Sequence, residues 1–289
     1  MKNLFFGFIF LFAATVNAQS NPSSITIGFL PGGSVSETKE GAVAIAQALQ
    51  DELNIAVNVF ISKNYAGLAE AMKNQKIDFA FFTAMSYVVA EKEAGAKVLL
   101  KNVWSEPFYY STILTKKNSS IKKIEDLKGK NFAFVDEKST SGYLYPQVFF
   151  KKKKFQTSSF KSQKMTGSHA QSVEALDKGE VDAIAVFADE KDGQLNAYGK
   201  YSKTENADKQ VRVLWTSDPI PNDPFCVRQD FYEKYPKLTH SLMFSLIDVV
   251  DKLKSKKEVQ KLVGTKGFMP ATSKQYDPVR EVVRELGLQ

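Results

Sequence analysis

The chain has 289 residues, 43% of them hydrophobic and 25% charged, with a net charge of +7. That is an ordinary globular composition, long enough for one large domain or two lobes of moderate size. The single cysteine, Cys226, excludes an intramolecular disulfide, and no RNA-stacking motif or zinc-finger spacing accompanies the basic charge, so nucleic acid is not expected as a partner.

Residues 1–18 read as a signal peptide. Lys2 gives a positive start, residues 4–14 are apolar, and small residues end at Ala18. The apolar run is short for a membrane span, and no later stretch reaches 18 uninterrupted apolar residues. No cysteine follows the run, which argues against a lipid anchor there. An exported protein without disulfides points to the periplasm. Cys226, between Phe225 and Val227, reads as a buried core thiol.

Strands and helices then alternate. Residues 24–30 read as a strand, broken by Pro31 to Ser34, and residues 42–50 as a helix of small side chains. A strand follows at 56–61, a helix at 65–72, a strand at 77–82 and a helix through 86–90; another strand begins at 98–100. Residues 108–115 form a long β-prone run, and 121–130 a short helix ending at a glycine. Further strands are expected at 131–135, 160–165, 181–187 and 210–215, with a capped helix from Ser168 to Leu176. The proline-rich stretch 218–228 cannot be a central strand throughout, and it can serve as a connection. The tail reads as helical at 242–253, 255–262 and 278–286.

This alternation predicts βαβ units and mostly parallel sheets. Residues 69–82 echo residues 173–187: each is a helix containing Glu-Ala that leads into an apolar strand headed by an aspartate, Asp78 or Asp182. The echo predicts two similar lobes rather than one continuous sheet. Ligands of such sheets bind beyond the carboxyl ends of strands. The positions are Pro31 to Ser34, Tyr65, Thr83 to Ser86, and the cluster Ser139-Thr140-Ser141-Gly142. That cluster joins a buried strand to a helix start. Free N–H groups and the positive end of a helix dipole meet three hydroxyls there, which suits an oxyanion, although a plain N-cap is the simpler reading of the stretch alone.

The run Ser139-Thr140-Ser141-Gly142-Tyr143-Leu144-Tyr145-Pro146 resembles the anion-binding signature of the phosphonate, phosphite and phosphate substrate-binding proteins of ABC transporters. Other blocks agree in order: residues 64–67 with 70–72, 77–80, 124–129, Ser168-His169, 181–183 and 220–224. The resemblance covers nearly the whole chain after residue 18. It implies an α/β fold of the type II periplasmic binding protein class: two lobes, each a mostly parallel sheet flanked by helices, two β crossovers at roughly 106–116 and 214–226, and a cleft between the lobes. Lobe one would comprise 19–112 and 218–289, and lobe two 113–217.

The same resemblance implies the ligand contacts. Ser139, Thr140 and Ser141 hold the phosphoryl oxygens. Tyr65 comes from lobe one and Tyr109 from the first crossover, with Tyr110 as its alternative. His169 reaches the oxyanion. Asp189, or Glu190 beside it, stands where some members place a glutamate for a ligand amino group; the shorter side chain is a departure. Asp223 is the acidic residue of the second crossover. The implied partners are a small phosphorus-containing anion and an ABC permease in the inner membrane. A monomer is expected, with no cofactor and no metal.

Two other roles compete. One keeps the fold and makes the protein a sensor for a membrane receptor or kinase. The other is an exported phosphoryl hydrolase, for which the sequence offers little: only His169 and His240 as histidines, no metal-ligand cluster, and no evident base for Ser141.

Overall fold

A computed structural model describes residues 20–30 and 35–288. The expected signal peptide and the ligand positions Pro31 to Ser34 lie outside the described residues. The strands are β1 (Ser24–Phe29), β2 (Ala56–Ile61), β3 (Phe79–Phe81), β4 (Ala96–Val103), β5 (Phe108–Lys116), β6 (Asn131–Phe134), β7 (Ser162–Met165), β8 (Ala183–Ala188), β9 (Val211–Thr216), β10 (Ile220–Pro221), β11 (Pro224–Arg228) and β12 (Gly267–Pro270). The helices are α1 (Val35–Leu53), α2 (Tyr65–Lys73), α3 (Ala84–Ala94), α4 (Tyr145–Lys152), α5 (His169–Asp177), α6 (Ala197–Tyr201), α7 (Gln229–Lys234), α8 (Pro236–Leu253), α9 (Lys257–Leu262) and α10 (Asp277–Glu285).

The strands form two sheets. One runs β12-β4-β11-β3-β1-β2; the other runs β10-β5-β8-β6-β7, with β9 also paired to β5. Both are mixed, which corrects the expectation of mostly parallel sheets. β1 pairs in parallel with β2 and β3, and β6 with β7 and β8, as βαβ units require. β11, β12, β5, β9 and β10 make antiparallel pairs. Those strands arrive from sequence-distant segments, and local hydrophobic periodicity carries no strand direction for them.

The chain changes sheets at 104–107 and again at 222–223, so β5 and β10 belong wholly to the second sheet. Asn222 ties the two connections together. Its Nδ2 donates to the Asn102 carbonyl (2.9 Å) and to the Glu106 carbonyl (2.8 Å), and Tyr276 Oη donates to the Asn222 carbonyl (2.8 Å). Asn222 is fully buried, so the next side chain, Asp223, leaves a fixed point.

Each sheet is covered on both faces, because successive strand residues point to opposite sides. In the first sheet Ile25, Ile27 and Phe29 pack with Leu242, Leu246 and Val249 of α8, while Leu68, Met72, Met85 and Tyr87 fill the other face. In the second, Phe132, Phe134 and Phe150 lie on one face, and Ala133, Ile184 and Val186 lie on the other with α5 and α6. Cys226 is buried in the first core as expected.

The internal echo has a structural reason. Thr26 N–H donates to Asp78 Oδ2 (2.8 Å) and Asn131 N–H donates to Asp182 Oδ2 (2.8 Å). Each aspartate heads a strand and caps the neighbouring parallel strand where its ladder begins. Arg228 adds an ion pair to Asp78 at 3.1 Å.

Candidate functional site

The hydroxyl cluster sits where the sequence places it, after β6. Ser139 is the N-cap: Gly142 N–H donates to its Oγ (3.1 Å), and residues Thr140–Leu144 form a π-helical turn that runs into α4. With Gly142 capped, the first N–H groups of Thr140 and Ser141 have no partner inside the turn. Gly142 is needed for closeness. A Cβ there would lie 2.4 Å from Val135 Cγ2, so a side chain would push the turn off the strand. From β5, Ser111 Oγ donates to the Ser141 carbonyl (2.6 Å), which fixes the turn from below.

The cluster faces the first lobe directly. Met85 N–H, in the first turn of α3, donates to Thr140 Oγ1 (2.8 Å). Tyr65 stands beside the Ser139 hydroxyl and Tyr109 beside that of Thr140. Both tyrosines are buried, and burial first, then the negative field of Asp223, raises each phenol pKa, so both stay protonated donors. A cavity of about 350 Å³ opens between the lobes. Tyr65, Tyr109, Ser139, Thr140, Ser141, His169, Asp189 and Asp223 all line it.

Alternatives left open by the sequence resolve through strand register. Tyr109 lines the cavity and packs edge-on against Trp104 (5.7 Å), whereas Tyr110 packs against Phe108 (6.1 Å) away from it. Asp189 lines the cavity, and Glu190 is exposed outside it. Thr83 lines the cavity while capping α3, accepting from Ser86 N–H (3.2 Å); Ser86 is buried behind it.

Four acidic or basic groups carry the electrostatics: Asp223, Asp189, His169 and Lys200. Burial pushes the Asp223 carboxyl up to about 7, against the pull of the Ala84 N–H and of Lys200. Its Oδ1 is buried without a hydrogen-bond partner. Burial also raises Asp189, opposed by Lys200. Burial and the Lys200 charge lower His169 to about 3, so its imidazole is neutral, with Nδ1 buried and unpartnered. With Asn102 Oδ1, three polar atoms that cost free energy to leave unpaired therefore belong to residues lining one cavity. An NMR titration of the His169 ring is expected to stay flat from pH 8 to pH 5; a midpoint near the ordinary 6.5 would contradict that environment.

Some lining residues carry no local sequence signal. Lys200, on α6, is the main one; it resembles any surface lysine in the sequence. Trp104 and Ser105 follow the end of β4, and the strand-end rule applied to that strand points to them. Leu262, Val263, Gly264 and Lys266 close one side from the far end of the chain. Among the described residues, no group of three or more His, Cys, Asp or Glu side chains could hold a metal, and no helix is long and apolar enough to cross a membrane.

Two mixed sheets joined by two extended connections around a polar cleft define a class: two-lobed ligand-binding proteins with the type II periplasmic binding protein fold. The family model described as ABC transporter, phosphonate, periplasmic substrate-binding protein matches residues 27–276, and the chain belongs to that family. Members of that family are substrate-binding transport proteins, not enzymes. The chain is 26% identical over 283 residues to the phosphonates-binding periplasmic protein of Escherichia coli (strain K12), which spans 92% of this chain and 78% of that protein. It is 24% identical over 276 residues to the probable ABC transporter phosphite binding protein PhnD1 of Prochlorococcus marinus (strain MIT 9301), spanning 92% and 91%. The structure of PhnD1 from Prochlorococcus marinus (MIT 9301) in complex with methylphosphonate matches the fold with a TM-score of 0.79 at 22% identity, covering 93% of this chain and 100% of that one.

Proposed function

We propose that the cleft binds a small phosphorus oxyanion and that the protein delivers it to a membrane permease. The observation that carries this reading is the Asp223 carboxyl. Its Oδ1 is buried and unpartnered, and its pKa of about 7 makes it half protonated near neutrality. It lines the same cavity as the hydroxyl cluster. Hydroxyls, N–H groups and two protonated tyrosines suit the ionised oxygens, through charge-assisted hydrogen bonds. Asp223 suits a ligand that shares one proton with it, whether the proton sits on the carboxyl or on P–OH. Sulfate has no such proton near neutral pH and leaves the pair repulsive.

The residues proposed to contact the ligand are Ser139, Thr140, Ser141, Tyr65, Tyr109, His169, Asp189 and Asp223. The lobe edges expected from the sequence, 112/113 and 217/218, are moved to the sheet changes: lobe one is proposed to comprise the chain up to 104–107 and again from 222–223 onward, and lobe two the residues between. Residues 1–18 are proposed as a signal peptide removed on export to the periplasm, and the protein is proposed to act as a monomer. Contacts such as Met85 to Thr140 join the two lobes, so a ligand held by both favours the closed arrangement.

A thermal-shift panel over methylphosphonate, phosphite, phosphate and sulfate tests the binding reading. A ligand present at a hundredfold excess over its Kd stabilises the folded state by about 2.7 kcal/mol, so at least one phosphorus anion should raise Tm clearly while sulfate does not. A panel in which no phosphorus anion moves Tm overturns it.

A further inference from the structure

The cavity is lined by two carboxylates, Asp189 and Asp223, and by two lysines, Lys200 and Lys266, that neither the hydroxyl anchor nor the lobe contacts use. Lys200 is the one whose charge acts on both carboxylates. It leaves α6, in the second lobe, and its ammonium lies 5.5 Å from the Phe187 ring centroid and 5.5 Å from that of Tyr201. It reaches the first lobe: a Cβ added to Gly264 would be 3.8 Å from Lys200 Nζ and 3.8 Å from Trp104 Nε1. The ammonium thus sits at the junction of the lobes, walled by two aromatic rings and a glycine. Such rings favour a cation over their faces.

Lys200 as a whole residue is exposed, but desolvation within the cleft pulls its ammonium pKa down, and Asp189 and Asp223 act to hold it up. The effect is mutual, since Lys200 lowers both acids against their own burial. Two carboxylates in a cleft that also binds an oxyanion are the natural receptor for an ammonium group on the ligand. Here the protein supplies that ammonium itself.

We propose that Lys200 is a specificity-determining residue: it takes up the field of Asp189 and Asp223 that a ligand amine would need, and so restricts the site to phosphorus oxyanions whose substituent carries no amine. This rests on the phosphorus-oxyanion reading given above. An aminoalkyl ligand meets like charge from Lys200, which is rejection by a repulsive element rather than by size. The phosphoryl end is untouched, because its anchor is the hydroxyl turn.

The test uses two ligands with the same number of heavy atoms, propylphosphonate and 2-aminoethylphosphonate, with methylphosphonate as reference. Each is titrated by calorimetry into the wild type, Lys200→Met and Lys200→Arg. The wild type is expected to prefer propylphosphonate by roughly tenfold or more. Lys200→Met should shift the ratio of the two Kd values toward the amine by roughly tenfold or more, and Lys200→Arg, which keeps the charge, should leave the ratio near that of the wild type. A wild type that binds 2-aminoethylphosphonate as tightly as propylphosphonate overturns the proposal. So does a Lys200→Met ratio equal to the wild type's while methylphosphonate still binds. If methylphosphonate, phosphite and phosphate all fail to bind the wild type, the phosphorus-oxyanion reading fails and this proposal falls with it.

Discussion

Thr140→Ala is expected to weaken methylphosphonate, phosphite and phosphate alike, by about 10–100-fold each, while leaving their order unchanged. A hydrogen bond to a charged group contributes roughly 1.5–3 kcal/mol, and every phosphorus oxyanion presents the same oxygens to the turn. Thr140 carries a second duty. Its Oγ1 accepts the Met85 N–H at 2.8 Å, so removing it also leaves a buried donor of α3 unpaired whenever the lobes meet. Both losses act on the ligand-bound, closed arrangement, and neither depends on what else is attached to phosphorus. Thr140→Ser keeps the hydroxyl and should bind within a few-fold of the wild type. Calorimetric titration of the three ligands into both variants checks this. A changed ligand order in Thr140→Ala would mean that the turn reads the substituent.

Asp223→Asn is expected to do the opposite on two counts. It should raise the stability of the ligand-free protein and degrade its selectivity. The Asp223 pKa is raised from 3.8 to about 7, chiefly by burial. A carboxyl raised on folding costs nothing at a pH below its unfolded value, because both states are then protonated. From about pH 4 to pH 7 the unfolded state ionises first and binds fewer protons, so stability falls across that window and levels off above it. The full shift corresponds to roughly 4 kcal/mol at most, of which an amide with its own desolvation cost recovers about 1–3 kcal/mol. Denaturant melts should therefore show Asp223→Asn above the wild type at pH 8 and level with it at pH 4. In binding, the amide oxygen keeps the Ala84 N–H and the amide nitrogen becomes a permanent donor to the cleft. Sulfate should then gain relative to the phosphorus anions, and the alkaline loss of affinity expected of the wild type should flatten. Equal melts at pH 8, or sulfate still excluded, would contradict the role given to the carboxyl.

The place of the hydroxyl turn was legible in the sequence because its signal is local, whereas its role as an anion anchor rather than a plain cap was implied by the family resemblance. Ser139 to Gly142 sit within four residues at the end of one strand, and strand-end geometry does the rest. Asp223 was named through the family resemblance; the prolines on either side of Asn222-Asp223 mark only a connection rather than a central strand. The choices between Tyr109 and Tyr110, and between Asp189 and Glu190, were not, since each turns on a register that only the pairing partners set: β8 for β5, and β5 for β8. The mixed sheets were hidden for a related reason. β11 enters between β3 and β4 from more than a hundred residues away, and nothing in Phe225-Cys226-Val227 says which way it runs. Lys200 was the largest omission. Its side chain gains meaning only when α6 is brought beside Phe187 and opposite Gly264.

The most direct measurement is a crystal structure of the protein grown with methylphosphonate. The phosphonate oxygens are expected within hydrogen-bonding distance of the Ser139, Thr140 and Ser141 hydroxyls and of the Tyr65 and Tyr109 phenols, with one oxygen facing Asp223 Oδ1. A phosphonate seated elsewhere, or held in the cleft with the hydroxyl turn and Asp223 both out of contact, would contradict the placement of the site.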